Sequence, residues 1–204
     1  MAWLNNIVLK IIGDGKGILA ADESTGTMTK RLDSVKVESN AKNRLLFRET
    51  LFSSASMKDC IGGVILYDET IKQSSSSGKK VPELILDSNT VPGIKVDTGA
   101  KILVNSPEEK ITEGLDGLRE RLKEYYKLGA RFAKWRGVYS ISEKYPSKLS
   151  IYSNAHALAR YSALVQESGM VPIVEPEVLM DGNHDSEICF QKTSEVIKKC
   201  YEQL

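Results

Sequence analysis

Five short, mainly apolar runs punctuate the chain, and between them the apolar positions fall into three- and four-residue steps. The runs are GILAAD (17–22), IGGVILYD (61–68), VPGIKVD (91–97), ARFAKWRGV (130–138) and MVPIVEPEV (170–178). Each is bounded by glycine, proline or polar residues, and three are rich in valine and isoleucine, which predicts parallel strands covered on both faces. Helical spacing precedes the first run at Trp3, Leu4, Ile7, Val8, Ile11 and Ile12. It returns at Leu115, Leu118, Leu122 and Tyr125, with Gly129 as the stop. NAHALARYSALVQESG predicts a further helix with Asn154 as N-cap and Gly169 as stop, and Val196 and Ile197 between lysines predict one in the tail. Ser74 to Ser77, with Gly78, Lys79 and Lys80, read as a solvated loop.

Strand and helix alternating to the end predict a parallel α/β architecture in a single domain over residues 1–204. Two arrangements compete. A doubly wound sheet carries its glycine-rich phosphate turn after the first strand, whereas a (β/α)8 barrel carries polar groups at the C-terminal ends of many strands. Gly13-Asp14-Gly15-Lys16-Gly17 precedes a strand and has neither P-loop nor dinucleotide spacing, so it reads as a turn. The barrel fits better, although only five strands are counted where it needs eight.

Composition narrows the function classes. With 41% hydrophobic and 27% charged residues the chain has the makings of a folded core, and the composition argues against disorder. Twenty-eight basic against twenty-seven acidic residues leave +1, so no overall field points to nucleic acid or an anionic membrane, and any anion site must be local. Cys60, Cys189 and Cys200 are odd in number and far apart, which fits a reducing compartment better than a disulfide or zinc framework. The first helix lacks the unbroken apolar core of a signal peptide, and no apolar run is long enough to span a bilayer. The expected location is the cytoplasm.

Charge appears where buried strands should be apolar. Lys134 and Arg136 are two apart and share a strand face, Glu175 and Glu177 repeat the pattern, and Asp22 and Asp97 follow other apolar runs. Burying one unpaired charge costs several kcal/mol, roughly, so these groups must pair or act. One reading is an ion-pair network that only closes a barrel mouth; the other is an active-site rim. A lysine among cations has its ammonium form disfavoured and can attack a carbonyl, with carboxylates moving the protons. Ser24, Thr27, Lys30, Arg31 and Arg44 supply the donors that phosphates need. Together they suggest a phosphorylated carbonyl substrate. His156, on a helix, and His184, in the polar DGNHD loop, read as packing or solvated groups.

GKGILAADESTGTMTKRL, IGGVILYDET, GIKVDTG, GLDGLRERL, FAKWRGV, NAHALARYSALVQESGMVPIVEPEVL and DGNHD, in this order, resemble the N-terminal and central parts of class I fructose-bisphosphate aldolase. The resemblance runs from about Gly15 to the end. It implies a (β/α)8 lyase that cleaves fructose 1,6-bisphosphate reversibly into dihydroxyacetone phosphate and glyceraldehyde 3-phosphate. The route is a Schiff base that takes no metal and no cofactor. Carried over by motif, Asp22 handles hydroxyl protons, Glu175 is general acid and base with Glu177 in support, and Lys134 positions substrate and stabilises charge. Ser24, Thr27, Arg31, Arg44 and Arg136 fall on substrate-side positions. The implied partner is a phosphorylated sugar, without nucleic acid or membrane, in a homo-oligomer that is a tetramer among relatives.

Two departures stand out. VDTG carries Thr98 where many members read VDKG, with Lys101 on a different step of the chain. The family's Schiff-base lysine lies in a Leu-Leu-Lys-Pro-Asn-like stretch on the sixth strand, and residues 1–204 do not contain it. The expectation is therefore about five βα units of an eight-unit barrel, from a longer enzyme or a decayed gene, inactive alone and prone to aggregate or to need a partner. The alternative is a non-catalytic remnant or interaction protein.

Overall fold

The computed structural model describes residues 2–204. All five apolar runs are strands, at Gly17–Ala21 (β1), Ile61–Leu66 (β2), Val91–Lys95 (β3), Phe132–Tyr139 (β6) and Val171–Val178 (β7). Two more, Gly99–Leu103 (β4) and Ser106–Glu113 (β5), form a separate antiparallel hairpin that the apolar pattern did not predict. Its register runs Gly99 to Glu113, and Asn105 takes the left-handed conformation at the turn, where asparagine is among the residues that tolerate it. Polar and charged residues dominate β5, and β4 is a five-residue run opened by glycine and broken by Lys101, so the hairpin gives little of the apolar signal that marks the others.

Among the described residues nine α-helices accompany the strands: Ala2–Ile12 (α1), Thr25–Ser34 (α2), Ala41–Phe52 (α3), Met57–Cys60 (α4), Asp68–Ile71 (α5), Val81–Asp87 (α6), Leu118–Lys127 (α7), Lys148–Glu167 (α8) and Ser186–Gln203 (α9). Local chemistry starts several of them. Ser24, Asn40, Ser147 and Asp185 each accept a backbone N–H from the first turn of α2, α3, α8 and α9. Gly129 and Gly169 end α7 and α8 at positive φ, as expected. The start of α8 differs from expectation. Its cap is Ser147, and Asn154 sits buried inside the helix, accepting from Thr112 N–H and donating to the Lys110 carbonyl. Asn154 thus ties α8 to the hairpin, a long-range role that no local pattern announces.

The large sheet has the order β1-β2-β3-β6-β7, each strand beside the one before it in the chain once the hairpin is set aside. β1, β2 and β3 pair in parallel. A doubly wound sheet reverses direction at a switch point, and this order does not, so the chain has five βα units of the (β/α)8 barrel class.

Two compact units divide the chain. The first comprises Met1–Lys95, Lys123–Ala133 and Gly169–Val171, with a core that includes Val64, Leu66, Ile94 and Phe132. Close approach dictates two of its glycines. A Cβ on Gly62 would lie 1.9 Å from the Ile11 carbonyl oxygen, and one on Gly93 would lie 2.3 Å from the Phe132 ring. The second comprises Val96–Leu122, Lys134–Ser168 and Pro172–Leu204, with Trp135, Tyr139, Leu158 and Tyr161 at its centre.

Because the obstacle at Gly62 is backbone, it cannot rotate away. Gly62→Ala is expected to lower stability by about 2 kcal/mol or more, measured by urea unfolding. An unchanged midpoint would show that α1 does not press on β2 as described.

Candidate functional site

Each unit carries a cluster of charge at its strand ends. In the first unit, β1 delivers Asp22 and Glu23 half-buried at its end, and Ser24 turns the chain into α2. The Ser24 hydroxyl accepts from Thr27 N–H at 3.3 Å and lies 3.1 Å from the Thr27 hydroxyl. Both side chains are therefore held at the N-terminus of a helix, with solvent on one side. Arg31, on the same helix, forms an ion pair with Glu23.

Two arginines one turn apart on α3 reach the same region. Arg48 is 1% exposed; it donates to the Thr70 hydroxyl at 2.7 Å and the Glu23 carbonyl at 2.6 Å, with a Glu23 carboxylate oxygen at 3.4 Å. Burial draws its guanidinium below the usual arginine range, against the opposing pull of Glu23, Glu69 and Asp22. Arg44 grips Glu69 with both ends of its fork, Nε to Oε1 at 2.9 Å and Nη2 to Oε2 at 2.5 Å. Those bonds hold the Glu69 carboxyl below its usual value and raise the Arg44 guanidinium. Sequence reasoning picked Arg44 and missed Arg48, Glu69 and Thr70. The signal existed: Arg44 and Arg48 are four apart, hence on one helix face, and Asp68-Glu69 follows β2 as Asp22-Glu23 follows β1.

In the second unit, strand alternation sorts the residues of β6. Trp135 is fully buried against Tyr161 of α8, ring centroids 5.5 Å apart, so Lys134 and Arg136 take the other face. Opposite them β7 offers Glu175 and Glu177. Lys134 Nζ lies 3.1 Å from Glu175 Oε2, and Arg136 pairs with Glu177. The two rungs differ in environment: the Lys134 side chain is 10% exposed, that of Arg136 41%. Beneath them the Tyr161 hydroxyl donates to the Ile173 carbonyl at 3.2 Å, and burial pushes its phenol well above the ordinary range.

Asp97 is half-buried and its Oδ1 accepts from Gly99 N–H at 3.1 Å. Thr98 is exposed, with its N–H bonded to the Glu113 carbonyl, and Lys101 is exposed on β4. His156 is exposed, 3.4 Å from Gln203 Oε1, and His184 is half-buried in the loop at Gly182. The clusters thus gather Asp22, Ser24, Thr27, Arg31 and Arg44 in one unit, and Lys134, Arg136, Glu175 and Glu177 in the other. Among the described residues, no group of three or more His, Cys, Asp or Glu side chains is placed to hold a metal ion. No described helix is long and apolar enough to cross a membrane.

A family profile described as "Glycolytic: Fructose-bisphosphate aldolase class-I" matches residues 3–204. The chain belongs to the class I fructose-bisphosphate aldolase family. It is 52% identical over 194 residues to the probable fructose-bisphosphate aldolase class 1 of Xylella fastidiosa (strain 9a5c), covering 95% of this chain and 58% of that protein. It is 50% identical over 202 residues to fructose-bisphosphate aldolase C-B of Danio rerio, covering 98% and 56%. Among solved structures, fructose-bisphosphate aldolase from Plasmodium falciparum, crystallised in complex with TRAP and a small-molecule inhibitor, matches with a TM-score of 0.96 at 46% identity. That match covers 98% of this chain and 58% of the other. This aldolase-family chain thus spans less than two thirds of the length of the relatives it matches.

The clamp on β1 yields a test. Arg48→Ala leaves the buried Thr70 hydroxyl and the Glu23 carbonyl without their donor, and is expected to cost about 3 kcal/mol in urea unfolding. Arg31→Ala, at the exposed end of the same network, is expected to cost less than about 1 kcal/mol. Equal losses would mean that Arg48 is not the anchor.

Proposed function

We propose that these 204 residues supply the acid–base and phosphate-side groups of a class I aldolase that cleaves fructose 1,6-bisphosphate reversibly to dihydroxyacetone phosphate and glyceraldehyde 3-phosphate. The observation that carries this reading is the Lys134–Glu175 pair at 3.1 Å, a nearly buried ammonium on β6 against a half-exposed carboxylate on β7, in a chain of this family. Pairing stabilises the charges in the absence of substrate, and half-exposure leaves Glu175 accessible to a reacting group.

In this reading Glu175 moves the protons of carbinolamine loss and carbon–carbon cleavage, with Glu177 and Arg136 beside it, while Lys134 stabilises developing charge. Asp22 handles hydroxyl protons. Ser24, Thr27, Arg31 and Arg44 serve substrate phosphate, for which the last two would release the carboxylates they hold. The Schiff-base lysine is a group that residues 1–204 do not provide, so these residues alone are inactive. The complete enzyme is a cytoplasmic homo-oligomer acting in sugar breakdown and synthesis, and the two units fold within one domain. The competing reading, a non-catalytic interaction protein with an aldolase surface, draws support from the Plasmodium falciparum relative crystallised in complex with TRAP.

Borohydride reduction with dihydroxyacetone phosphate separates the cases. Residues 1–204 alone are expected to give no covalent adduct. A single-chain fusion to the portion of the Danio rerio relative that follows the match is expected to be trapped within that added portion and to cleave fructose 1,6-bisphosphate. An adduct on Lys134 would overturn its assignment as an auxiliary group, and an inactive, folded fusion would favour the interaction protein.

A further inference from the structure

One carboxylate in the first unit's cluster takes no part in the proposed catalysis. Glu23 stands between Asp22 and Ser24, its side chain is 12% exposed, and both of its oxygens face arginine. Oε1 pairs with Arg31 of α2, whose side chain is 53% exposed, while Oε2 lies 3.4 Å from Nη2 of the sealed Arg48 on α3. The same carboxylate therefore meets an outer cation that solutes can reach and an inner one that they cannot.

The inner contact is incomplete. In a guanidinium, Nε and Nη2 form one edge that fits the two oxygens of a carboxylate. Arg44 uses that edge in full on Glu69, at 2.9 and 2.5 Å. Arg48, one turn further along α3, does not. Its Nη1 donates to the Thr70 hydroxyl and its Nη2 to the Glu23 carbonyl, with the Glu23 carboxylate at the long end of hydrogen-bond range. Its Nε is buried with no hydrogen-bond partner among the described residues. The Tyr67 ring lies 5.9 Å from the guanidinium carbon and covers the face of the group, which leaves the edge as the side where an acceptor can bind. A buried donor without an acceptor is costly and rare in folded proteins. The carboxylate already beside Nη2 can complete the edge once it lets go of Arg31.

We propose that Glu23 is a two-position carboxylate, which holds Arg31 in the absence of substrate and moves onto the Nε–Nη2 edge of Arg48 when a phosphate takes Arg31. The proposal rests on the reading of Arg31 as a phosphate-side cation, and it supplies the reason that this cation can be released. A phosphate that displaced Glu23 with no second partner at hand would leave a nearly buried carboxylate unpaired; the open edge of Arg48 receives it. Glu23 and Arg48 are thus positioning residues, which set the affinity for phosphate without touching the reacting atoms.

The test titrates inorganic phosphate into the single-chain fusion by calorimetry and reads the binding that Arg31→Ala removes. Arg48→Lys keeps the charge but has no fork edge. It is expected to weaken that binding about five-fold or more, and to change it less than about two-fold once Glu23→Gln is present. Equal weakening in both backgrounds would make Arg48 a structural support only and overturn the proposal. So would an Arg48→Lys fusion that binds phosphate as the unsubstituted one does, or the absence of any binding that depends on Arg31. A crystal structure of the unsubstituted fusion grown in inorganic phosphate answers without a variant. A Glu23 oxygen is expected about 3 Å from Arg48 Nε; Glu23 still on Arg31 beside bound phosphate would contradict the exchange. The two readings fail separately. A fusion that shows the exchange yet does not cleave fructose 1,6-bisphosphate keeps the two-position carboxylate and counts against the catalytic reading. One that cleaves while Glu23 stays on Arg31 does the reverse.

Discussion

Charge carried at the ends of the sheet strands is the constraint on which this structure turns. Where the group is nearly sealed, as at Arg48 and Lys134, a lone ion would cost several kcal/mol, roughly. Each charge must therefore arrive with a partner whose own element is fixed nearby. Glu23 after β1 has Arg48 from α3 and Arg31 from α2; Lys134 and Arg136 on β6 have Glu175 and Glu177 on β7. These pairings bind the order of elements to the electrostatics, since misplacing one element would strand a charge as well as expose apolar surface.

The two clusters meet the constraint differently. Arg48 is sealed and spends its donors on the Glu23 carbonyl and the Thr70 hydroxyl, which suits an anchor for the backbone beside Asp22. Arg31, Arg136, Glu175 and Glu177 keep a third or more of their side chains in water, and Arg44 and Lys134 lie between these extremes. Each cluster thus has a nearly sealed member, Arg48 in one and Lys134 in the other, and more exposed members whose partners can exchange. In the proposed reading a phosphorylated substrate uses the exposed members, since its anions compete with side-chain carboxylates for the same cations.

Much of this was legible in the sequence because strands and charges leave local marks. The five apolar runs became the five strands of the large sheet, and the two-residue spacing of Lys134 with Arg136 and of Glu175 with Glu177 correctly set each pair on one face. What escaped depended on contacts far apart in the chain. Asn154 has the composition of a cap but is held inside α8 by Thr112 and Lys110. In the β4–β5 hairpin β5 is mainly polar and β4 is short and broken by Lys101, so neither stands out, and Arg48 gained its role from Thr70, twenty-two residues away.

The central claim is that the paired carboxylate on β7 works on substrate and does not merely neutralise Lys134. The most direct measurement is steady-state cleavage of fructose 1,6-bisphosphate by the single-chain fusion carrying Glu175→Gln, which keeps the shape and a hydrogen bond to Lys134 but removes the titratable group. The account predicts that kcat falls by a factor on the order of 10² to 10⁴ with KM little changed. Turnover equal to that of the unsubstituted fusion would contradict it.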